Sequence, residues 1–338
     1  MKNILLRLCD QESFTEEEMK SAVKLLLKED ISEGEIAGFL MGLKVKGETV
    51  EEITGIVKEL KESAILFPNN YQNLIDNCGT GGDGSNSFNI STTSAFVIAA
   101  AGARVAKHGN RSISSKSGSA DVLETLGINL NLSAEKIDEL LQEVGIAFLY
   151  APNVHPKLKK IISVRKQLKI PTIFNFIGPL TNPINLDYQL LGVYRRDLLV
   201  PFAEVLKTLG RKRSIVINGA GYLDEASLQG ENHLAILDDD QITLRTFSPE
   251  EVGLSRVDNI LLKGGSASDN AKILLSVLKG EKSVYREAVL LNAGLGIYTA
   301  RIAKTIEQGV DIAKSCIDSG TALDKFHLLK IKSQEEVI

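Results

Sequence analysis

The chain reads as an α/β protein in which a small N-terminal helical domain precedes a larger α/β domain with a central sheet. Three observations predict this. The first seventy of its 338 residues carry helix signals only. From about residue 71, short apolar runs alternate with helical segments, the signature of an α/β layer. Glycines, hydroxyls and cations gather directly after predicted strands, where open sheets hold their ligands.

Thr15 with Glu18, Ser32 with Glu35 and Thr49 with Glu52 each fit a capping box. Behind them Val23, Leu26 and Leu27, then Ile36, Phe39, Leu40 and Leu43, then Ile53, Ile56, Val57 and Leu60 recur at helical spacing. Phe67-Pro68-Asn69-Asn70 reads as a linker, so the expected domain limits are 1–70 and 71–338. Strands are predicted at 74–76, 103–106, 146–149, 189–193 and 214–217, with a hairpin at 234–237 and 242–247 about an acidic turn. Helices are predicted at 92–101, 120–126, 134–144, 155–168 and 198–209, and in the last third at 268–278, 284–291, 300–316 and 321–329.

With 43% hydrophobic and 24% charged residues, the composition is that of an ordinary soluble globular protein. A net charge of −4 and a pI near 5.8 argue against wholesale nucleic-acid binding. Cys9, Cys78 and Cys316 are odd in number, widely spaced and free of any CxxC pattern. They indicate neither a disulfide framework nor a zinc site and fit a reducing, cytoplasmic location. Acidic sequence follows the short apolar run at 4–8, which argues against a signal peptide. The small and apolar run at 95–103 is far too short for a bilayer, so no membrane association is expected.

The segment GTGGDG at 79–84 satisfies GxGxxG, which alone is a weak signal. A dinucleotide site needs an acid about twenty residues on for the ribose, and Arg104 stands there instead. A Walker loop fails because no Gly-Lys-Ser/Thr follows. A phosphate cradle fits better. Glycines let backbone N–H groups crowd an anion. Asn89-Ile90-Ser91-Thr92 then opens a helix whose N-terminus attracts phosphate, with two hydroxyls to add. Asp83 would repel bare pyrophosphate and is better matched to a sugar hydroxyl or a metal. The plain alternative is a tight strand–helix turn with no ligand.

Lys107-His108-Gly109-Asn110-Arg111 follows the next predicted strand, with Ser112, Ile113, Ser114, Ser115 and Ser119 close behind. Cations and hydroxyls on a glycine-flanked loop suit a diphosphate, although a solvated polar loop would look similar. The stretch 84–120 holds no Asp or Glu, where the chain's 43 acids in 338 residues would place about five. Asp224-Glu225 follows a further predicted strand. The two acids read either as a magnesium pair, completed by waters and substrate phosphate, or as an acidic helix start. Asp238-Asp239-Asp240 sits at the hairpin turn and reads as solvated. Arg165, on a lysine-rich helix that Pro156 could begin, reads on its own as a surface residue.

Taken together these motifs resemble the anthranilate phosphoribosyltransferase family of tryptophan biosynthesis. The resemblance rests on GTGGD at 79–83, NIST at 89–92, KHGN at 107–110, SGSADVLETLG at 117–127 and AP..HP at 151–156. IFNxxGPLTNP at 173–183 and LDE at 223–225 complete the set, in the family's order and over essentially the whole chain. One departure is NGAGY at 218–222, where many relatives have a histidine; it leaves the local loop shape open.

The resemblance implies a nucleoside-phosphorylase/phosphoribosyltransferase-like fold with its active site in the cleft between the domains. It also implies a homodimer, and makes helices around 160–185 candidates to pack with the small domain. It implies that 5-phosphoribosyl 1-pyrophosphate meets Gly79, Gly82, Asp83, Ser87, Asn89, Ile90, Ser91, Thr92, the run Lys107 to Ser115, and Ser119. Anthranilate would meet Gly79, Asn110 and Arg165, with Arg165 suited to its carboxylate, and magnesium would meet Ser91, Asp224 and Glu225.

The reaction so implied joins the amine of anthranilate to C1 of the ribosyl unit and expels pyrophosphate. Lys107 would stabilise the leaving group. His108, with His155 second, is the candidate to collect the amine proton after attack. Any association with anthranilate synthase would be non-covalent. A pyrimidine nucleoside phosphorylase is the enzyme alternative, and a non-catalytic nucleic-acid-binding relative the other.

Overall fold

The computed structural model describes residues 1–111 and 116–335. Four helices open the chain: α1 (Lys2–Cys9), α2 (Glu16–Leu26), α3 (Glu33–Lys46) and α4 (Val50–Glu62). All three expected capping boxes form, at the starts of α2, α3 and α4. The third does more than cap. Glu52 is fully buried and also accepts hydrogen bonds from Phe14 N (2.9 Å) and Lys46 Nζ (2.9 Å), so one carboxylate ties three segments of the bundle.

The α/β part continues with β1 (Leu74–Gly79), α5 (Ile90–Ala100), β2 (Arg104–Gly109), α6 (Ser119–Thr125), α7 (Ala134–Glu143), β3 (Ile146–Tyr150), α8 (Ala151–Val154) and α9 (Lys159–Leu168). After two 3-10 turns come β4 (Tyr188–Gly192), α10 (Leu199–Thr208), β5 (Arg213–Asn218), β6 (Asn232–Asp238) and β7 (Gln241–Phe247). Four helices finish the described chain: α11 (Ala267–Leu278), α12 (Val284–Thr299), α13 (Ile306–Asp318) and α14 (Thr321–Lys332). The strands form one mixed sheet in the order β3-β2-β1-β4-β5-β6-β7, parallel through β5 and antiparallel thereafter. Every predicted strand is present within a few residues of its expected limits.

Two helix expectations needed correction. The helix expected at 155–168 is broken: α8 ends at Val154, a 3-10 turn spans Pro156–Leu158, and α9 follows. The expected pair 284–291 and 300–316 is divided differently, because α12 runs on to Thr299 and α13 starts only at Ile306. The stretch Asn292-Ala293-Gly294-Leu295-Gly296, outside the predicted helix, lies inside α12, and its glycines are there for packing reasons. A Cβ on Gly294 would stand 2.6 Å from Val310 Cγ2, and one on Gly296 would stand 2.3 Å from Ile98 Cδ1. Bare backbone therefore lets α12 press against α13 and α5 at once. Arg301, with φ +60°, ends the run, and Thr305 caps α13 through Gln308 N.

Two apolar cores flank the sheet. One joins α5, α12, α13 and α14 to one face, with Phe96 packed edge-on against Phe326. The other joins the helical bundle and α10 to Leu191, Val193, Val216 and Ala235 on the opposite face. Ile161 and Val164 of α9, with Ile173, Phe176 and Ile177, belong to this second core. Lys160 Nζ bonds the carbonyls of Glu29 and Ile31, so α9 and the bundle are also joined by polar contacts.

Candidate functional site

A fork in the sheet positions the site. β1 pairs with β2 only at Leu74–Arg104 and Ile75–Val105, although β1 continues along β4 to Gly79 and β2 continues along β3 to Gly109. Beyond Ile75 the two strands part, and buried polar side chains replace the missing ladder bonds. Asn182 Nδ2 donates to Asp76 Oδ2 (3.0 Å) and to Ala106 O (2.8 Å). His108 N donates to Asp76 Oδ1 (3.2 Å), and Lys107 Nζ donates to Asn77 O (2.8 Å). All of these side chains are at least nine-tenths buried. Burial drives the Asp76 carboxyl up, while Lys107, Asn182 and the His108 amide oppose the rise.

On one side of the fork the glycine loop wraps an acidic pair. Gly81, Gly82 and Gly84 adopt φ of +69°, +82° and +73°, a path few side chains permit. Gly81 N donates to Asp224 Oδ2 (2.6 Å), and Asp83 Oδ2 lies 3.5 Å from Asp224 N. Asp83 Oδ1 is held by Ser85 N and Ser85 Oγ, both at 3.0 Å. A Cβ on Gly79 would fall 2.2 Å from Asp224 Oδ2, and one on Gly192 only 1.6 Å from Asp224 O. The glycines therefore let the Asp224-Glu225 loop close onto the ends of β1 and β4. Gly219 N to Leu223 O (2.8 Å) closes the turn before it, with Tyr222 at φ +61°, which settles the loop shape that NGAGY left open.

The three carboxylates crowd one another. Burial, reinforced by Asp83 and Glu225, pushes the Asp224 carboxyl well above the usual carboxylate range. Burial raises Glu225 to about 7, against the pull of Lys107 and of the Ser91 hydroxyl and amide. An all-oxygen set short of positive charge fits a hard divalent cation. Magnesium takes one or two carboxylates and fills the rest with water and substrate phosphate. Among the described residues no group of three or more His, Cys, Asp or Glu is placed to hold a metal ion by itself, so substrate phosphate and water would have to complete the shell.

Asn89 precedes α5 without capping it by its own side chain; its Oδ1 accepts from Asn270 Nδ2 (2.9 Å) instead. With no acid in its first turn, this helix end presents positive potential to the fork. Ser91 O accepts from Asn77 Nδ2 (2.9 Å), which ties α5 to β1. Ser87 lies in an isolated bridge with Lys263, and Ile90 points into the apolar core, so Ile90 has only its backbone to offer.

The other side of the fork is built by residues 173–182. His108 Nδ1 faces Gly178 O (3.2 Å) and His155 Nε2 faces Thr181 O (2.9 Å), with the two rings 5.5 Å apart. Burial lowers His108 to about 3 and His155 to about 4. His108 is thus neutral, donates through Nδ1, and leaves Nε2 as a buried acceptor without a partner among the described residues. An imidazole with so low a pKa is poorly matched to collect a proton near neutrality, so the geometry does not favour the base expected at His108. Lys61 of α4 contributes to the lowering of both histidines, placing the helical bundle beside this side of the fork.

Arg165 is half-buried on α9. Its Nη2 reaches Asn175 Oδ1 (3.4 Å), its guanidinium lies 5.5 Å from the Phe174 ring centre, and burial disfavours its charge. Among the described residues no carboxylate pairs with it.

Two expected ligands already have partners within the chain. The Arg111 guanidinium holds Asp121 (2.9 Å), Glu124 (2.7 Å) and the Tyr150 hydroxyl, on the outer side of β2. Ser119 Oγ donates to Asn110 O (3.1 Å), and a Cβ on Gly109 would fall 2.5 Å from it, so Ser119 fixes the turn after β2. Ser112, Ile113, Ser114 and Ser115 lie outside the described residues. Asp76, Asn77, Asn182 and Gly192 were missed in the sequence. Asp76 and Asn77 follow only Leu74 and Ile75 and look like the polar end of a short strand; Asn182 lies within the GPLTNP motif, which gave it no role of its own.

Comparison with known proteins shows the family and the fold. Residues 2–64 match the helical bundle domain of a glycosyl transferase family, and residues 71–323 match its a/b domain. The anthranilate phosphoribosyltransferase of Bacillus cereus (strain AH820) is 57% identical over 337 residues, covering 100% of this chain and 99% of its own. The crystal structure of anthranilate phosphoribosyltransferase from Thermus thermophilus superposes with a TM-score of 0.93 at 37% identity, covering 98% of this chain and 99% of that one. The Saccharomyces cerevisiae enzyme in complex with PRPP and Mg shares the fold, with a TM-score of 0.90 at 24% identity and coverage of 98% and 97%.

Proposed function

The chain belongs to the anthranilate phosphoribosyltransferase family, and on that premise we propose that the fork between β1 and β2 is where its two substrates meet. The protein transfers the phosphoribosyl group of 5-phosphoribosyl 1-pyrophosphate to the amine of anthranilate, releasing pyrophosphate and forming N-(5-phosphoribosyl)anthranilate, a step of tryptophan biosynthesis. The observation that carries the assignment of sides is the contrast across the fork. Three crowded carboxylates, a glycine cradle and a buried lysine lie on one side. A half-buried guanidinium without an acidic partner lies on the other.

The ribosyl donor occupies the first side. The N–H groups of Gly82 to Gly84 and the N-terminus of α5 receive its phosphates, and Asp83 accepts from a ribose hydroxyl. Asp224, Glu225 and Ser91 hold magnesium, which neutralises charge on the departing pyrophosphate. The Lys107 ammonium, fixed by Asn77 O, adds a preorganised positive charge beside the same oxygens.

Anthranilate occupies the second side, its carboxylate on Arg165 and its ring near Gly79 and Asn110. Its aromatic amine is neutral and nucleophilic near pH 7, so positioning and leaving-group stabilisation suffice. His108 Nε2, the buried acceptor, takes one amine N–H and so turns the nitrogen lone pair toward C1; the proton shed after attack leaves with water or the released pyrophosphate.

The division 1–70 and 71–338, with α9 carried on the bundle side, lets the two halves of the site approach each other. The reading extends to a cytoplasmic homodimer, for which exposed Leu6 and Val45 on the bundle offer apolar surface. No described helix is long and apolar enough to cross a membrane.

Arg165→Ala tests the assignment of sides. The KM for anthranilate should rise by about two orders of magnitude, in line with loss of a charge-assisted pair, while that for the ribosyl donor stays within a few-fold. Steady-state kinetics that move both constants equally would remove Arg165 from the carboxylate role.

A further inference from the structure

The acidic pair is anchored from behind by a residue nothing in its motif announces. Asn292, in the middle of α12, is 1% exposed. Its Oδ1 accepts from Ala226 N (2.8 Å), and its Nδ2 donates to Ala226 O (2.9 Å) and to Ala288 O (2.9 Å). The side-chain amide thus reproduces both bonds of a β-ladder on the residue directly after Glu225. A second clamp acts one residue on, where Ser227 N donates to Asn232 Oδ1 (2.7 Å) and Asn232 Nδ2 returns to Ser227 O (3.0 Å). In front, the close approaches of Gly79 and Gly192 fix Asp224.

The chain from Asp224 to Ser227 therefore has no free play. Three like-charged carboxylates this close would otherwise move apart, since each repels the next. A rigid tether is what holds such groups near one another.

We infer that Asn292 is a positioning residue for the metal-binding carboxylates: it holds Ala226 so that Asp224 and Glu225 stay within reach of one cation. This rests on the reading of Asp224 and Glu225 as magnesium ligands given above. Asn292 touches neither substrate nor metal; it acts through the backbone of Ala226. Its partner helix is set in place by the bare faces of Gly294 and Gly296, so α12 offers a rigid platform.

The test is a magnesium titration of the initial rate at saturating substrates, with KM for anthranilate measured alongside. Asn292→Ser should raise the magnesium concentration for half-maximal rate about tenfold, the usual cost of losing an outer partner of a metal ligand. The KM for anthranilate should stay within twofold, because Arg165 lies on the other side of the fork. Leu141→Ala, a core truncation on α7 away from α12, serves as the control for general destabilisation and should leave the titration in place. Asn292→Asp, which keeps the acceptor and loses the donor, replaces the serine variant if that fails to fold. Glu225→Gln separates the two claims. If it shifts the titration and Asn292→Ser does not, or if Leu141→Ala shifts it equally, the positioning role is overturned and the metal site stands. If Glu225→Gln shifts nothing, the metal reading falls and the inference with it.

Discussion

Gly192→Ala is expected to remove nearly all transfer activity. The added Cβ would lie 1.6 Å from Asp224 O and 2.5 Å from Asp224 C, distances no rotamer change can relieve, because both atoms are backbone. Gly192 is itself held by its pairing with Gly79 and Ile217 and by Thr80 N, which donates to its carbonyl (2.9 Å). The Asp224-Glu225 loop must give way, carrying both carboxylates off by about an ångström or more. Misplacement of that size costs about two orders of magnitude in rate. Overpacking adds roughly 1–3 kcal/mol of destabilisation. Kinetics and thermal unfolding together check this. A variant with near-wild-type kcat would show that the close approach is not what sets the acidic pair.

The second large effect belongs to the acidic pair itself. Asp224→Asn combined with Glu225→Gln should lower kcat at least about a hundredfold and abolish the normal magnesium dependence, since neutral amides are poor partners for a hard divalent ion. The same change should stabilise the metal-free protein. A carboxyl whose folded pKa is raised binds its proton better in the folded state. Its favourable contribution is complete below the unfolded pKa and is lost as pH rises through the folded value. For Glu225 that window ends at about 7. Above it, in chelator, the wild type carries the full penalty of buried like charges and the amide variant does not. Thermal unfolding at about pH 8 with a chelator should therefore give a higher Tm for the double variant. A lower Tm, or an unchanged metal titration, would contradict the assignment.

The parts of the molecule that were legible in sequence are those ruled by local chemistry. Thr15, Ser32 and Thr49 announced their helices because a capping box is complete within four residues. The glycine loop and the NIST helix start announced an anion site because backbone geometry and missing acids are also local. What stayed hidden depends on distant partners. Gly294 and Gly296 fell beyond the expected helix 284–291, and only Val310 and Ile98 explain their place inside α12. Asp76 looked like a strand residue, and only Asn182, 106 positions on, reveals it as the wedge of the fork. Arg111 sat in the right motif, yet Asp121 and Glu124 engage its guanidinium. His108 carried the right side chain for a base, but burial leaves it neutral and a weak proton acceptor.

The account stands on the claim that this fork joins a ribosyl donor to anthranilate. Purified protein mixed with 5-phosphoribosyl 1-pyrophosphate, anthranilate and magnesium, followed by anthranilate fluorescence, tests it most directly. The fluorescence should fall with time, only when donor and metal are both present, with pyrophosphate released in equal amount. A constant signal at every magnesium concentration, or phosphorolysis of uridine or thymidine in its place, would contradict it.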